Sequence, residues 1–305
     1  MADFKTFIYA ESPCPTIQVS LQNSDLSQPG TAVQLQDDID QLLCQCKSIE
    51  SVAVVCHDQT VNRHILEQLP VIEGKINRHD FYQLPLSWHR HKLSSDFPKR
   101  LIQSDNRYRP HPARPPMPQG CVYRRYDFDA NLEVSFRVVD LDKDIERFTR
   151  WMNDPRVAHF WEQAWPKVQL AEFLRERLAD PHLIPLIGEI NGQPFGYVEV
   201  YWVAEDRLSP YYDVQDFDRG IHLLVGEQAF RGPEFFHAWM RAISHYLFID
   251  ELRTQRIVLE PRADNERLFT RILPVGYHKC FEFNFPHKRS ALLMLSRDRF
   301  FAEQW

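Results

Sequence analysis

Residues 217–248 read FDRGIHLLVGEQAFRGPEFFHAWMRAISHYLF, and this stretch decides the fold. Its first part, RGIHLLVG (219–226), is an apolar run interrupted by His222, which predicts a buried strand. Its last part, FFHAWMRAISHYLF (235–248), has apolar residues at helical spacing and predicts an amphipathic helix. A strand that leads directly into a long helix indicates a layered core of both elements.

The flanking segments extend this pattern in both directions. Upstream, VSFRVV (134–139) predicts a strand, and residues 145–152 and 168–178 predict two helices. LIPLIGEI and PFGYVEVYWV then flank Asn191-Gly192, a strong β-hairpin signal. Downstream come a strand, RIVLEP, a helix, NERLFTRILPVGY, and an antiparallel pair, KCFEFNF and SALLMLS. The order β-αα-ββ-β-α-β-α-ββ predicts an α/β (α+β) fold with a mixed, mostly antiparallel sheet.

A proline-rich segment, RYRPHPARPPMPQG (107–120), divides the chain. Proline fixes φ and lacks an N–H donor, so this segment predicts an extended connector. We expect a small mixed α/β domain over residues 1–104, a connector over 105–120 and a larger domain over 121–305. In the first domain, TFIYAE, TIQVSL and SVAVVCHD predict strands and DDIDQLLCQCKS predicts a helix. No catalytic constellation is visible there.

The composition excludes several functional classes. The 305 residues are 44% hydrophobic and 26% charged, as in soluble globular proteins. A net charge of −6, acidic in both halves, argues against a nucleic-acid partner. No apolar run is long enough for a membrane span, no secretory signal is visible, and six scattered cysteines fit a reducing cytoplasm. His89 and His91 have no further ligands at metal-site spacing, so no metal site is predicted.

The element order and motifs resemble the GNAT acyl-CoA transferases. DNERLFTRILPVGY (264–277) is similar to their last helix, with Asn265, Leu268, Gly276 and Tyr277 at the family's spacing. A narrower resemblance, over residues 115–303, is to the aerobactin-type N6-hydroxylysine acetyltransferases of siderophore biosynthesis. Six motifs carry it: GCVYRRYD (120–127), FTRWMNDPRV (148–157), FWEQ (160–163), FDRGIHLLVGEQ (217–228), RTQRIVLEPRADN (253–265) and FPHKRS (285–290).

This resemblance implies a GNAT acyltransferase that moves an acetyl group from acetyl-CoA to the N6 nitrogen of N6-hydroxylysine. The product is a hydroxamate that chelates Fe(III), and the enzyme needs no metal. It also implies a cytoplasmic enzyme, with other siderophore-biosynthesis enzymes as candidate partners and no oligomeric state specified. Two alternatives stay open: acetyl or succinyl transfer to N-hydroxyputrescine or N-hydroxycadaverine, and a non-catalytic GNAT-like docking module.

The resemblance assigns the catalytic roles to His222 and Glu260. His222 falls in the strand that lines the thioester in GNAT enzymes, where an imidazole could act as general base. Glu260 closes the adjacent strand, where related enzymes carry an acidic residue that could orient the imidazole or bind the hydroxylamine. From residue type alone, a core histidine and a solvated strand end are the alternatives. Ile272 stands where many GNAT enzymes have a tyrosine acid, so another group must protonate the leaving thiolate.

The resemblance also predicts two binding regions. Six residues are expected to bind the cofactor: Leu224, Val225, Arg231, Gly232, Pro233 and Asn265. Four residues between two helices are expected to bind the acceptor: Trp161, Glu162, Gln163 and Trp165. Asn265 could equally be a helix N-cap, and the aromatic residues could equally be core. The acceptor carboxylate needs a cation, and the sequence does not choose among Arg124, Arg125, Arg253, Arg256, Lys288 and Arg289.

Overall fold

The computed structural model describes residues 4–9, 16–21, 31–55, 69, 71–103 and 109–305. The chain divides into two compact units, residues 1–87 with 301–303 and 305, and residues 88–300 with 304. The division therefore falls earlier than the predicted boundary at 104/105. The cause is main-chain pairing within the larger unit: Arg124 N–H donates to the Trp88 carbonyl and Arg90 N–H to the Val122 carbonyl, both at 3.0 Å.

The smaller unit contains a five-stranded sheet in the order β1-β2-β3-β5-β4. Its strands are β1 (Phe4–Tyr9), β2 (Thr16–Leu21), β3 (Ser51–Val55), β4 (Val71–Ile72) and β5 (Lys75–Asn77), and its helices are α1 (Thr31–Gln45) and α2 (Arg78–Tyr82). The three predicted strands are confirmed where they are described, and the predicted helix over 37–48 is confirmed as far as Gln45, after which residues 47 and 48 form a turn. Residues 10, 11 and 56–58 of the predicted strands lie outside the described residues.

The larger unit contains an eight-stranded sheet in the order β14-β15-β13-β12-β11-β10-β9-β8 and a two-stranded pair, β6-β7. The strands are β6 (Leu101–Ile102), β7 (His111–Pro112), β8 (Cys121–Asp127), β9 (Leu132–Val138), β10 (Leu183–Ile190), β11 (Gln193–Trp202), β12 (Arg219–Val225), β13 (Arg256–Leu259), β14 (His278–Asn284) and β15 (Arg289–Ser296). The helices are α3 (Leu141–Met152), α4 (Pro155–Trp161), α5 (Lys167–Ala179), α6 (Pro233–Asp250), α7 (Glu266–Ile272) and α8 (Arg297–Glu303). Every pair of neighbouring strands in the large sheet is antiparallel except β12 and β13, which confirms the predicted mixed sheet.

Local signals explain the elements that position the cleft. Asn191 and Gly192 take φ values of 49° and 72°, the left-handed pair that a two-residue hairpin turn requires. Helix α3 packs on the sheet through Phe148 and Trp151, which belong to one buried cluster with Tyr197 and Leu224. Helix α6 is buried along most of its length and packs against β8 and β9.

Five elements of the larger unit were not predicted as such: β6, β7, β8, α4 and α8. Helix α4 is short, and its boundaries are set by capping: Asp154 Oδ1 accepts from Arg156 N–H, Pro155 occupies the first turn, and Glu162 ends the helix with φ 56°. Strand β8 buries Arg125 and Asp127 and exposes Tyr126, so the alternation of its burial is not matched by an alternation of apolar and polar residues. Among the described residues, no helix is long and apolar enough to cross a membrane.

Candidate active site

The cleft opens where the two parallel strands separate. The ladder between β12 and β13 consists of Arg219 paired with Ile257 and Gly220 paired with Val258, and it ends there. His222 and Glu260 each lie two residues beyond the last pair, where the two segments diverge. A cleft of about 920 Å³ is lined by both residues. This volume is in the range of sites that bind drug-sized ligands.

His222 bridges two carboxylates. Its Nδ1 lies 2.9 Å from Glu199 Oε2, and its Nε2 lies 2.8 Å from Glu260 Oε1. Glu199 is the cross-strand partner of His222 in the β11–β12 ladder, so the sheet register itself brings the two side chains together. The His222 side chain is 24% exposed, whereas the carboxylates are almost fully buried. We refer to Glu199, His222 and Glu260 as the triad.

The triad fixes the charges of its members. Burial alone would lower the pKa of His222, but Glu260 and Glu199 outweigh it and raise that pKa to about 10. Burial would raise the pKa of both carboxyl groups, yet His222 holds the pKa of each below its usual range. At neutral pH the free protein therefore carries an imidazolium between two carboxylates. This differs from the near-neutral imidazole expected from the residue type.

Two buried tyrosines complete the triad. Tyr201 donates to Glu260 Oε2 at 2.8 Å, and Tyr197 donates to Glu199 Oε1 at 2.9 Å. Burial raises the pKa of both hydroxyl groups well above the usual value, so they stay protonated donors. Gly220 makes room for this arrangement, because a Cβ there would lie 2.0 Å from the Tyr201 ring. The carboxylates are thus oriented by hydrogen bonds on both oxygens.

The predicted acceptor residues divide into two groups. Trp161, Glu162 and Gln163 line the cleft, and the Trp161 ring meets the His222 ring edge-to-face at 6.5 Å. Trp165 does not line it. Its ring packs edge-to-face on Phe173 at 6.2 Å against the core, because the chain turns at Pro166 into α5. Trp165 is partly buried and packs against the core cluster.

The predicted cofactor residues also divide. Leu224, Val225, Arg231 and Asn265 line the cleft, whereas Gly232 and Pro233 do not. Gly232 is the N-cap of α6, and its Cα is covered by the Glu234 carboxylate, which a Cβ on Gly232 would meet at 2.1 Å. The exposed carboxylate of Glu234 therefore lies beside the main chain at Gly232, where close approach to phosphate was predicted. Asn265 Oδ1 accepts from Leu268 N–H at 3.2 Å, so Asn265 is a helix N-cap that also borders the cleft.

Arginines converge on the same end of the cleft. Arg231, Arg267 and Arg271 line it, together with Arg156, which is paired with Asp154. Within the described part of the chain, none of the first three forms an ion pair with a carboxylate. Desolvation and the nearby positive charges of Arg156, Arg267 and Arg271 lower the pKa of Arg231. An uncompensated group of guanidinium ions is a site for phosphate oxygens.

In the structure the carboxylate of Asp250 lies beside the two histidines that the sequence analysis considered as metal ligands, His89 and His91. His89, His91 and Asp250 bring three potential ligand atoms within 4.8 Å of one another. Asp250, however, already accepts from His89 at 2.9 Å, from Ser94 Oγ at 2.8 Å and from buried Arg219 at 3.1 Å. A guanidinium ion beside the carboxylate disfavours a metal cation, so this cluster fits a buried polar network.

Sequence reasoning missed Glu199 and Arg207. Glu199 is the single charged residue in an otherwise apolar strand, FGYVEVYW, just as His222 interrupts the apolar run in β12. The expectation that these two residues face each other across neighbouring strands would have identified Glu199. Arg207 lies between β11 and β12, and its Nη2 lies 3.5 Å from Glu260 Oε1. No sequence motif distinguishes it from the other arginines.

A mixed sheet that separates at a parallel pair, with a basic cleft beside the separation, defines an acyl-CoA-dependent acyltransferase. Comparison with known proteins agrees, since residues 140–285 match the acetyltransferase (GNAT) domain family. The chain is 44% identical to N(6)-hydroxylysine O-acetyltransferase of Escherichia coli over 274 residues, 88% of this chain and 85% of that protein. This chain therefore belongs to the GNAT acyltransferases, in the group that contains that enzyme.

Two further comparisons extend the picture. The chain is 39% identical to N(5)-hydroxyornithine:cis-anhydromevalonyl coenzyme A-N(5)-transacylase of Beauveria bassiana, over 65% of this chain and 45% of that protein. Among solved structures, an uncharacterized protein of Bacillus halodurans superimposes with a TM-score of 0.58 at 31% identity, over 61% of this chain and 95% of that one.

Proposed function

We propose that the protein transfers the acetyl group of acetyl-CoA to the N6 nitrogen of N6-hydroxylysine. The observation that carries this proposal is the 44% identity over 88% of the chain to the Escherichia coli enzyme, whose name gives the same acceptor molecule, with the oxygen as the acetylated atom. The product is a hydroxamate, a bidentate Fe(III) ligand, and its use would be the assembly of an aerobactin-like siderophore for iron acquisition. Acetyl-CoA is abundant in the cytoplasm, which we propose as the compartment of the reaction.

The triad supplies the proton chemistry in this proposal. The hydroxylamine nitrogen attacks the thioester carbon, a C–N bond forms, and the C–S bond then breaks. The N–H proton passes to the Glu260 carboxylate, and the His222 imidazolium donates its proton to the departing thiolate sulfur. Glu260 then returns a proton to His222 Nε2 across their 2.8 Å contact. This cycle needs no tyrosine acid, in keeping with the buried isoleucine at position 272.

The cleft has separate regions for the two substrates. We assign the phosphate groups of the donor to Arg231, Arg267 and Arg271, and the acceptor methylenes to the wall formed by Trp161. Leu224 and Val225 lie between these regions on β12, beside the edge that β13 leaves unpaired. Both carboxylates of the triad line the same cavity. An amine that enters past Trp161 therefore reaches the triad directly.

The decisive experiment is a turnover panel. The protein is incubated with acetyl-CoA or succinyl-CoA and with N6-hydroxylysine, N-hydroxycadaverine, N-hydroxyputrescine or lysine, and released thiol is measured. We expect turnover with acetyl-CoA and N6-hydroxylysine and none with lysine. Because the hydroxylamine also offers its oxygen, the product is tested with Fe(III): the N-acetyl hydroxamate gives a coloured complex and the O-acetyl isomer does not. Absence of thiol release with every hydroxylated amine would reject the proposal.

A further inference from the structure

A group of basic side chains surrounds one phenylalanine at the acceptor end of the cleft. Phe285 is 5% exposed, and the guanidinium carbon of Arg207 lies 5.4 Å from its ring centroid. The Lys288 Nζ lies 5.6 Å from the same centroid, and the His287 ring stacks on it at 5.5 Å. Arg207, His287 and Lys288 all line the cleft. We call these three residues the basic cluster.

The basic cluster borders the triad. Arg207 Nη2 lies 3.5 Å from Glu260 Oε1, the oxygen that also contacts His222. Lys288 Nζ donates to the Glu260 main-chain carbonyl at 2.8 Å, and within the described residues it has no carboxylate partner. Both oxygens of the Glu260 carboxylate are already bonded, to His222 and Tyr201. Glu260 therefore compensates the cluster only in part.

The remaining charges leave the cluster attractive to an anion. Burial, followed by Arg207 and Lys288, lowers the pKa of His287, and burial together with Arg207 and Arg262 lowers that of Lys288 despite the opposing charges of Glu260 and Asp206. The charges of Arg207 and Lys288 repel each other in the free protein, whereas the lowered pKa favours the neutral form of His287. Arg207 is 47% exposed, so part of its guanidinium group remains accessible to a ligand.

The other cations considered from the sequence are committed elsewhere. Arg124, Arg253, Arg256 and Arg289 pair with Glu133, Glu251, Asp218 and Glu282. Arg125 is buried and packs over Trp88. None of these five lines the cleft, whereas Lys288 does.

We propose that the basic cluster binds the carboxylate of the acceptor and so selects a hydroxylated amino acid over a hydroxylated diamine. This inference rests on the proposed function. With the reacting nitrogen at the triad, the methylene chain of the acceptor runs along the cleft and delivers its carboxylate to Arg207 and Lys288. A guanidinium ion can engage both carboxylate oxygens, which a diamine lacks.

The test compares two acceptors that differ only in the carboxylate, N6-hydroxylysine and N-hydroxycadaverine. We expect Arg207→Gln to raise the KM for N6-hydroxylysine by about 10- to 100-fold, the effect of losing a hydrogen-bonded charge. The KM for N-hydroxycadaverine should stay within about twofold, because this substrate has no carboxylate for Arg207 to bind. Lys288→Gln should act in the same direction, and Arg289→Gln, at an exposed residue paired with Glu282, should change neither KM.

The outcomes separate this inference from the proposed function. Equal losses for both acceptors would mean that Arg207 acts only through Glu260, and would overturn the inference. Equal efficiency of the wild type on both acceptors would also overturn it, while leaving acyl transfer to hydroxylamines intact. Failure of the wild type on every hydroxylated amine would reject the proposed function itself.

Discussion

His222 is the residue on which the proposed chemistry depends most directly. Replacement by glutamine keeps a hydrogen-bonding side chain of similar reach between Glu199 and Glu260 but removes the transferable proton. We expect His222→Gln to lower kcat by about 10²- to 10⁴-fold with little change in the KM for acetyl-CoA. Steady-state kinetics at saturating acceptor measures this, and unchanged melting of the variant shows that the fold is intact.

A matched control is His278→Gln, at an exposed histidine on β14 that does not line the cleft. The pH profile gives an independent readout. Because the pKa of His222 is raised to about 10, a loss of kcat/KM below neutrality does not come from His222 and should persist in His222→Gln. A folded His222→Gln enzyme with near-wild-type kcat would remove His222 from the proton path.

Residue-level reasoning identified cleft-lining residues where a side chain breaks the pattern of its own strand. His222 interrupts an apolar run and Glu260 ends one, and the structure brings both into the cleft. It did not identify positions that depend on the path of the chain. Trp165 shares the aromatic motif of Trp161 but turns into the core, and Gly232 is covered by Glu234 two residues away. Local sequence does not determine which neighbouring residue a side chain packs against.

At the scale of elements, the basic end of the cleft combines a residue before α6 with two residues on α7. Arg267 and Arg271 are four apart on one helix and therefore share a face, which directs both toward Arg231. We expect Arg231→Ala and the double variant Arg267→Ala/Arg271→Ala to raise the KM for acetyl-CoA more than they lower kcat. Phosphate contacts bind the ground state and the transition state alike, so their loss appears in KM.

S-acetylpantetheine, which lacks the nucleotide and its phosphates, tests this assignment on the substrate side. The same variants should barely affect its turnover. Arg175→Ala, at an exposed residue on α5 paired with Glu172, is the protein control and should leave both substrates unaffected. A fall in kcat with unchanged KM for acetyl-CoA would move these arginines out of the donor site.

Strands and helices of the larger unit could be predicted because their apolar periodicity and turn signals agree. Asn191-Gly192 fixes the β10–β11 hairpin, and the resulting register places Glu199 opposite His222. The separation of β12 from β13 after Gly220 could not be predicted from periodicity. Ladder length depends on how side chains such as Tyr201 pack across the strand, which is a tertiary property.

At the scale of the whole molecule, the triad links stability to pH. The pKa of His222 is about 10 in the folded protein and 6.5 in an unfolded chain. Its stabilising charge is fully present below pH 6.5 and is lost as pH rises through 10. We expect the difference in melting temperature between wild type and His222→Gln to shrink as pH rises from 7 to 10, measured by calorimetry on the transition of the larger unit.

The exposed-histidine variant His278→Gln again serves as the control, because it should follow the wild type at every pH. A difference that stays constant or grows over this interval would contradict the charged state assigned to His222 and, with it, the imidazolium donor. Glu199 and Glu260 stay ionised throughout this range, because their pKa values lie below the usual ones. Their titration therefore does not contribute to the difference in melting temperature.

The division into two units was only partly accessible from sequence. Proline content marks 107–120 as irregular, which the described part of this segment bears out apart from the two-residue strand β7. It does not mark the boundary, because hydrogen bonds between residues 88–90 and β8 join the preceding stretch to the larger unit. Such pairing links residues far apart in the chain and leaves no local compositional trace.

The arginines at the donor end meet groups that the reaction leaves unchanged. Acetyl-CoA and the free CoA that remains after transfer carry the same phosphates, so in the proposed donor site Arg231, Arg267 and Arg271 would bind both. We therefore expect free CoA to compete with acetyl-CoA at nearly the same affinity. Turnover is then governed by the ratio of acetyl-CoA to CoA, and the departure of CoA becomes a candidate for the slow step. A cell with a depleted acetyl pool would slow this enzyme even at constant total CoA.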